Sequence, residues 1–313
     1  MADFHGFRKP VDPAFEKFDR EDGGIVEFTN SALIYQMLPV GGLRMISATS
    51  PADLACVVEI AKPLAEFGRR TFTSTVSPAP FVPPPTPDRF RQALPAGMHM
   101  VFEVRGLAAG HTEIVLRAAG GGPLASMRLS VKSEVMVTMS ACRLTDIVTE
   151  NPFTENEIRA CVARAKEIYR NTANVTLIDD PTIYHVESDI ELGNPIVLGK
   201  QITEYSSEDS TVLRHIRAKV PPAARAARFV CIFGWDFEIT HAPLVGVQIG
   251  QLCFVEWNTS DRSRAMTLEH ELGHAMGLGH TAIFSIMAGS GIEGIERFEE
   301  AHIEILNKTG NTP

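Results

Sequence analysis

The stretch with the residue types for chemistry is His270-Glu271-Leu272-Gly273-His274-Ala275-Met276-Gly277-Leu278-Gly279-His280. On a helix, His270 and His274 stand one turn apart on the same face, so both imidazoles reach a single ion. Gly277 offers a place where the helix can end and the chain turn sharply, because glycine accepts backbone angles that other residues avoid. The turn brings His280 back as a third nitrogen ligand. Three protein ligands leave one tetrahedral position open, which is the arrangement of a catalytic zinc rather than a structural one. Glu271 sits beside the first ligand, where it can take a proton from a zinc-activated water. The chemistry expected is hydrolysis, with Zn2+ on His270, His274 and His280 and Glu271 as the catalytic base.

Beyond His280 comes the short apolar run Ser285-Ile286-Met287. The pattern His270-Glu271-x-x-His274-x-x-Gly277-x-x-His280, followed by Met287, resembles the zinc signature and Met-turn of the metzincin metallopeptidases. The resemblance implies that the three histidines bind zinc and that Glu271 is the general base. It also implies that Met287 forms an apolar floor beneath the metal without ligating it. Leu268 to His280 is most similar to the matrixin branch, although Thr281 stands where a matrixin usually has serine. Gly289 occupies the position from which astacin-like members supply a tyrosine ligand, and no paired-cysteine motif follows His280.

The elements that must position these residues run from about residue 133 to 313. Glu134 to Ala141 reads as a strand. Thr154 with Glu157 forms a capping box, and Ile158, Cys161, Val162, Ala165 and Ile168 recur at helical spacing. Asn174 to Ile178, Arg228 to Trp235 and Gly246 to Trp257 read as further strands, while residues 180 to 215 are mixed and carry no functional reading. Asp261 and Thr267 are candidate N-caps for the active-site helix. Ile295, Phe298, His302, Ile305 and Leu306 space as the buried face of a closing helix. The resemblance implies an α+β metzincin-like zinc peptidase domain here, a mixed twisted sheet with an active-site helix and a C-terminal helix. It further implies that residues 245 to 256 form the sheet edge along which an extended peptide pairs, and that Ala288 to Gly291 walls the substrate pocket.

Residues 25 to 132 carry short alternating strands between turn residues, an all-β sandwich pattern placed before the catalytic domain. Strands are expected at Gly24 to Thr29, Leu43 to Ala48, Met98 to Val104, Thr112 to Ala118 and Met127 to Lys132. Residues 52 to 67 read as one short helix, and proline-dense Ser77 to Pro87 as an extended loop. Gly110 to Val131 resembles bacterial immunoglobulin-like modules. Residues 1 to 24 read as a polar arm.

A chain of 313 residues is long enough for two cores. Its net charge of -9 disfavours nucleic acid, because phosphate binding needs clustered Lys and Arg. No apolar run approaches the roughly 20 residues that span a bilayer. Cys56, Cys142, Cys161, Cys231 and Cys253 are scattered and read as free buried thiols. Cys142 invites comparison with the pro-segment thiolate of matrixins, but Ser-Ala-Cys-Arg-Leu-Thr lacks the flanking residues of that switch. The N-terminal stretch has no apolar segment of the secretory kind. Secretion by a signal-independent route is expected over a cytoplasmic location, since metzincins generally act outside the cell.

The function expected is a zinc-dependent endopeptidase acting on a protein or peptide substrate. Two alternatives stand beside it: a processing enzyme for one defined partner, and a binding or adhesion protein with a vestigial metal site.

Overall fold

The computed structural model describes residues 3–6, 35–50, 52–73, 86–203, 206–239, 242–244, 246–257, 261–281, 285–287, 298 and 300–309. The chain forms two compact units, Met1–Glu134 with Asn171–Asn174, and Val135–Arg170 with Val175–Pro313.

The first unit holds β1 (Asp3–Gly6), β2 (Tyr35–Pro39), β3 (Leu43–Thr49), β4 (Leu54–Ile60), β5 (Ala65–Thr73), β6 (Arg89–Leu94), β7 (His99–Gly106), β8 (Gly110–Ala118) and β9 (Pro123–Lys132). They form two sheets, of order β1-β3-β7-β5 and β2-β9-β8-β4-β6. One core lies between them. Alternate residues of β4, β7 and β9 enter it, namely Cys56, Val58 and Ile60, then Met100, Phe102 and Val104, then Met127, Leu129 and Val131. Phe67, Phe90 and Phe102 meet edge to face at its centre, with ring centroids 4.9 to 5.7 Å apart. Each buried phenyl contributes about 1.5–3 kcal/mol over its exposed state. Between β8 and β9, Gly120 takes φ +81°, and the Gly121 N–H closes the turn on the Ala118 carbonyl.

The helix expected within residues 52 to 67 is instead β4 and the start of β5. Pro63 would interrupt a helix there, and Val57-Val58 packs better on a pleated surface. Asp3–Gly6, expected in a loose arm, pairs antiparallel with β3, whose outer edge would otherwise leave its backbone groups unpaired. The expected strand Gly24 to Thr29 lies outside the described residues, as do residues 77 to 85 of the proline-rich loop.

The second unit opens with β10 (Val135–Thr145), α1 (Glu155–Ala173), β11 (Val175–Glu187), β12 (Ile196–Thr203), β13 (Ser206–Asp209), α2 (Thr211–Lys219) and α3 (Pro222–Arg225). It continues with β14 (Phe229–Gly234), β15 (Phe237–Ile239), β16 (Ala242–Leu244), β17 (Gly246–Ile249), β18 (Leu252–Glu256), α4 (Asp261–Ala275) and α5 (Glu300–Thr309). The α1 start is the expected capping box. Thr154 N–H donates to Glu157 Oε2 at 2.8 Å, and Glu157 N–H donates to Thr154 Oγ1 at 3.3 Å.

A five-stranded sheet runs β11-β10-β14-β18-β17, parallel except for β17, which pairs antiparallel with β18. One face carries Cys142, Leu144, Ile232 and Phe254 into a core shared with α2, α3 and β15. On the other face Cys253 meets α4, its thiol donating to the Glu271 carbonyl at 3.6 Å. Tyr169 of α1 ties to the same helix, its hydroxyl donating to the Glu269 carbonyl at 2.7 Å.

The expectation of an α+β metzincin-like domain behind a sandwich is corrected by this architecture. Among the described residues strand outweighs helix and is divided among four sheets. One of these, β13-β12-β15-β16, arises from residues 196–209 and 237–244, where no strand is expected from the sequence. Its strands are short and bury Ile196, Leu198, Phe237 and Ile239 by pairing with one another, a long-range choice that local periodicity does not reveal. No helix among the described residues is long and apolar enough to cross a membrane.

Candidate metal centre

Helix α4 meets its sheet at Thr267 and Glu271, and Ala265, Leu268 and Leu272, with Met276 just beyond the helix, are buried at helical intervals. That fixes the azimuth of His270 and His274, which stand one turn apart and half-buried. The helix ends where the sequence suggests. Gly277 takes φ +91°, its N–H donates to the His274 carbonyl at 2.8 Å, and Leu278 N–H donates to the Gly273 carbonyl at 2.9 Å. These two bonds with a left-handed glycine make a Schellman stop. The chain reverses and delivers His280.

The three imidazoles converge through their Nε2 atoms. His270 to His274 is 3.0 Å, His274 to His280 is 3.0 Å and His270 to His280 is 3.1 Å. Three nitrogens on a tetrahedral ion with bonds of about 2.0–2.1 Å would lie roughly 3.3 Å apart. Among the described residues this is the one group of three or more such ligands.

Tautomers follow from the outer partners. His270 Nδ1 faces the Ile286 carbonyl at 2.8 Å, and His274 Nδ1 faces the Leu278 carbonyl at 2.8 Å. A carbonyl only accepts, so each Nδ1 carries the proton and each Nε2 presents a lone pair. Burial lowers the His270 pKa to about 4 and also lowers that of His274, in each case against the raising effect of the carbonyl bond. With the proton on Nδ1, neither neutral His270 nor neutral His274 carries one on Nε2, so none bridges that pair. Two lone pairs aimed at each other over 3.0 Å repel unless a cation lies between them. The donor set, all imidazole nitrogen, suits zinc. Carbonyl partners on the far ring nitrogens are the usual support of metal-ligating histidine.

Glu271 lies between the two helical histidines in sequence and is buried. Burial raises its carboxyl pKa to about 8, opposed by a hydrogen bond from the Gln248 backbone N–H on β17. The strand passes so close that a β-carbon on Gly246 would lie 3.0 Å from Glu271 Oε1 and 2.4 Å from Thr267 Cγ2. Met287 is fully buried beneath the helix.

The remaining expectations divide. Thr267 is interior to α4 rather than its cap, and residues 258 to 260 ahead of Asp261 lie outside the described residues. Ala288 to Gly291 and Ile295 also lie outside them. Phe298, His302 and Leu306 are buried, but Ile305 is exposed and Ile303 takes the inward position. Among the described residues, His185 stands near Glu155 and His215 near Ser188 and Asp189, apart from the three-histidine group. Cys142 is fully buried, and desolvation pushes its thiol up to about 12, which leaves no thiolate to offer a metal. Two contributors carried no motif of their own: Gln248, which acts through its backbone, and Gly273. Ser285, two residues before Met287, is a hydroxyl–turn signal that the sequence does contain.

No family model matches the chain, and no curated protein matches it. A solved structure titled "Structure of a chaperone-substrate complex" resembles it at 11% identity and a TM-score of 0.35, covering 71% of this chain. The alignment spans 39% of that protein's length.

Proposed function

We propose that this chain is a zinc-dependent endopeptidase, with His270, His274 and His280 as the metal ligands and Glu271 as the general base. The observation that carries the reading is the convergence of three imidazole Nε2 atoms within 3.0–3.1 Å, beside a buried carboxylate on the same helix. Sequence resemblance to the zinc signature of metzincin peptidases supports the same reading.

When bound, zinc acidifies a water and polarises a carbonyl. The chain's own residues supply the rest. Two Nδ1–H bonds hold His270 and His274 with their electron pairs inward. Glu271 accepts the proton released as the peptide carbonyl is attacked, and returns it to the departing amine nitrogen. Burial suits it to this work, because a carboxyl kept weakly acidic both takes and gives a proton near neutrality. The Gln248 N–H steadies the carboxylate and confines its rotation.

The substrate class we propose is an extended peptide. Strand β17 is the terminal strand of its sheet, and it passes directly beside Glu271. A peptide added along such an edge gains backbone hydrogen bonds without demanding one sequence.

The test is incubation of the full chain with a denatured protein, with zinc and with a chelator. Cleavage that chelation abolishes and zinc restores is expected. Intact substrate under both conditions would refute the reading, and cleavage of a single native partner alone would favour a dedicated processing enzyme.

A further inference from the structure

We infer that Ser285 is a positioning residue, whose hydroxyl holds the turn that fixes the tautomer of His270. The inference rests on the metal-centre reading and adds a residue to it. Ser285 is 3% exposed, and its Oγ accepts the Met287 N–H at 3.2 Å, a hydroxyl-closed turn of three residues. Within that turn the Ile286 carbonyl accepts the His270 Nδ1–H at 2.8 Å. The Met287 carbonyl accepts the N–H of Thr281, the residue after His280, at 3.0 Å. The Met287 sulfur packs on the helix at Gly273, between the two helical histidines. One short segment thus touches the first ligand, the residue after the third, and the helix between the first two.

The direction of control follows from the chemistry of the groups. A neutral imidazole has one N–H, and placing it on Nδ1 is what leaves Nε2 able to bind a cation. The Ile286 carbonyl enforces that choice only while it stays in line with the ring. Without the Ser285 hydroxyl, the buried Met287 N–H loses its partner and the turn rearranges to find another. His270 is then free to carry its proton on Nε2, which blocks that nitrogen as a ligand. Second partners of metal-ligating histidines are worth about 10–100-fold in metal affinity.

The test uses the full chain, labelled with 15N-histidine and freed of metal, as wild type, Ser285→Ala and Ser285→Thr. Long-range 1H–15N spectra read the His270 tautomer directly. Wild type and Ser285→Thr, which keeps the acceptor, are expected to show the Nδ1–H form. Ser285→Ala is expected to mix in the Nε2–H form and to bind zinc about tenfold more weakly in a competitive titration. An unchanged tautomer and unchanged zinc affinity in Ser285→Ala would overturn the inference while leaving the metal centre standing. A tautomer shift in a protein that binds no zinc would keep the inference and remove the metal centre. Should Ser285→Ala fail to fold, Ser285→Cys, whose thiol is a weak acceptor, takes its place with the same two outcomes. An Nε2–H tautomer in the wild type would also overturn the inference.

Discussion

A β-carbon on Gly273 would lie 2.3 Å from the sulfur of Met287, closer than any real contact of that kind. The glycine of the zinc-signature helix and the methionine of the later turn therefore fit only as a pair. Met287 is fully buried, so its side chain must shift within the core to admit such a β-carbon. In an ordinary helix interior, alanine would be favoured over glycine by about 1 kcal/mol. Here Gly273→Ala is expected to destabilise by about 1–3 kcal/mol through overpacking. Thermal melts of Gly273→Ala, Met287→Ala and the double variant check this: the second change should recover part of the loss. Strictly additive effects would mean that the two residues do not meet.

Glu271→Gln keeps the volume and the hydrogen bond from Gln248 but removes the base. Zinc content should stay at the wild-type level while turnover falls by about a hundredfold or more. Peptide cleavage assayed beside elemental analysis reads both. Retained turnover would remove Glu271 from the mechanism.

Gly277 takes φ +91°, in the left-handed region where a side chain costs about 1–2 kcal/mol. Gly277→Ala should lower the melting temperature and also weaken zinc retention, because the turn it makes delivers His280. An equal melting temperature would place the stop elsewhere.

Glu256 gives the chain a pH dependence away from the three histidines. Burial, with Asp236 beside it, raises its carboxyl from 4.5 to about 7, against a hydrogen bond from the Phe237 N–H at 3.2 Å. The folded state thus holds this proton more tightly than the unfolded chain does. Below about pH 4.5 both states are protonated and nothing is lost. Stability then falls as pH rises toward about 7, and the loss is complete above it. Glu256→Gln cannot ionise, so it should raise the melting temperature above pH 7 and leave it unchanged near pH 4.5. A shift of equal size at both ends would contradict the assignment.

What the sequence disclosed was local. His270, Glu271, His274, Gly277 and His280 lie within three helical turns' length of chain, where spacing alone decides which residues share a face. The left-handed Gly277 and the Thr154–Glu157 box were equally visible, since caps and stops are written in neighbouring residues. What remained hidden was pairing. Whether Ile196 and Phe237 join the main sheet or build their own is settled by strands far apart in sequence, so the architecture departs from the α+β metzincin-like expectation. A short apolar run fits both periods, so Leu54–Ile60 forms a strand where spacing also allows a helix. Helical spacing points Ile305 to the core, yet Ile303 is the residue buried there. Gln248 was invisible for a different reason: its backbone, not its side chain, reaches Glu271.

The most direct measurement is zinc per chain by elemental analysis of the purified protein, compared with His280→Ala. About one zinc in the wild type, lost or sharply reduced in the variant, is the expected result. Wild-type protein that carries no zinc after exposure to the metal, or a variant that holds as much as the wild type, would contradict the three-histidine centre.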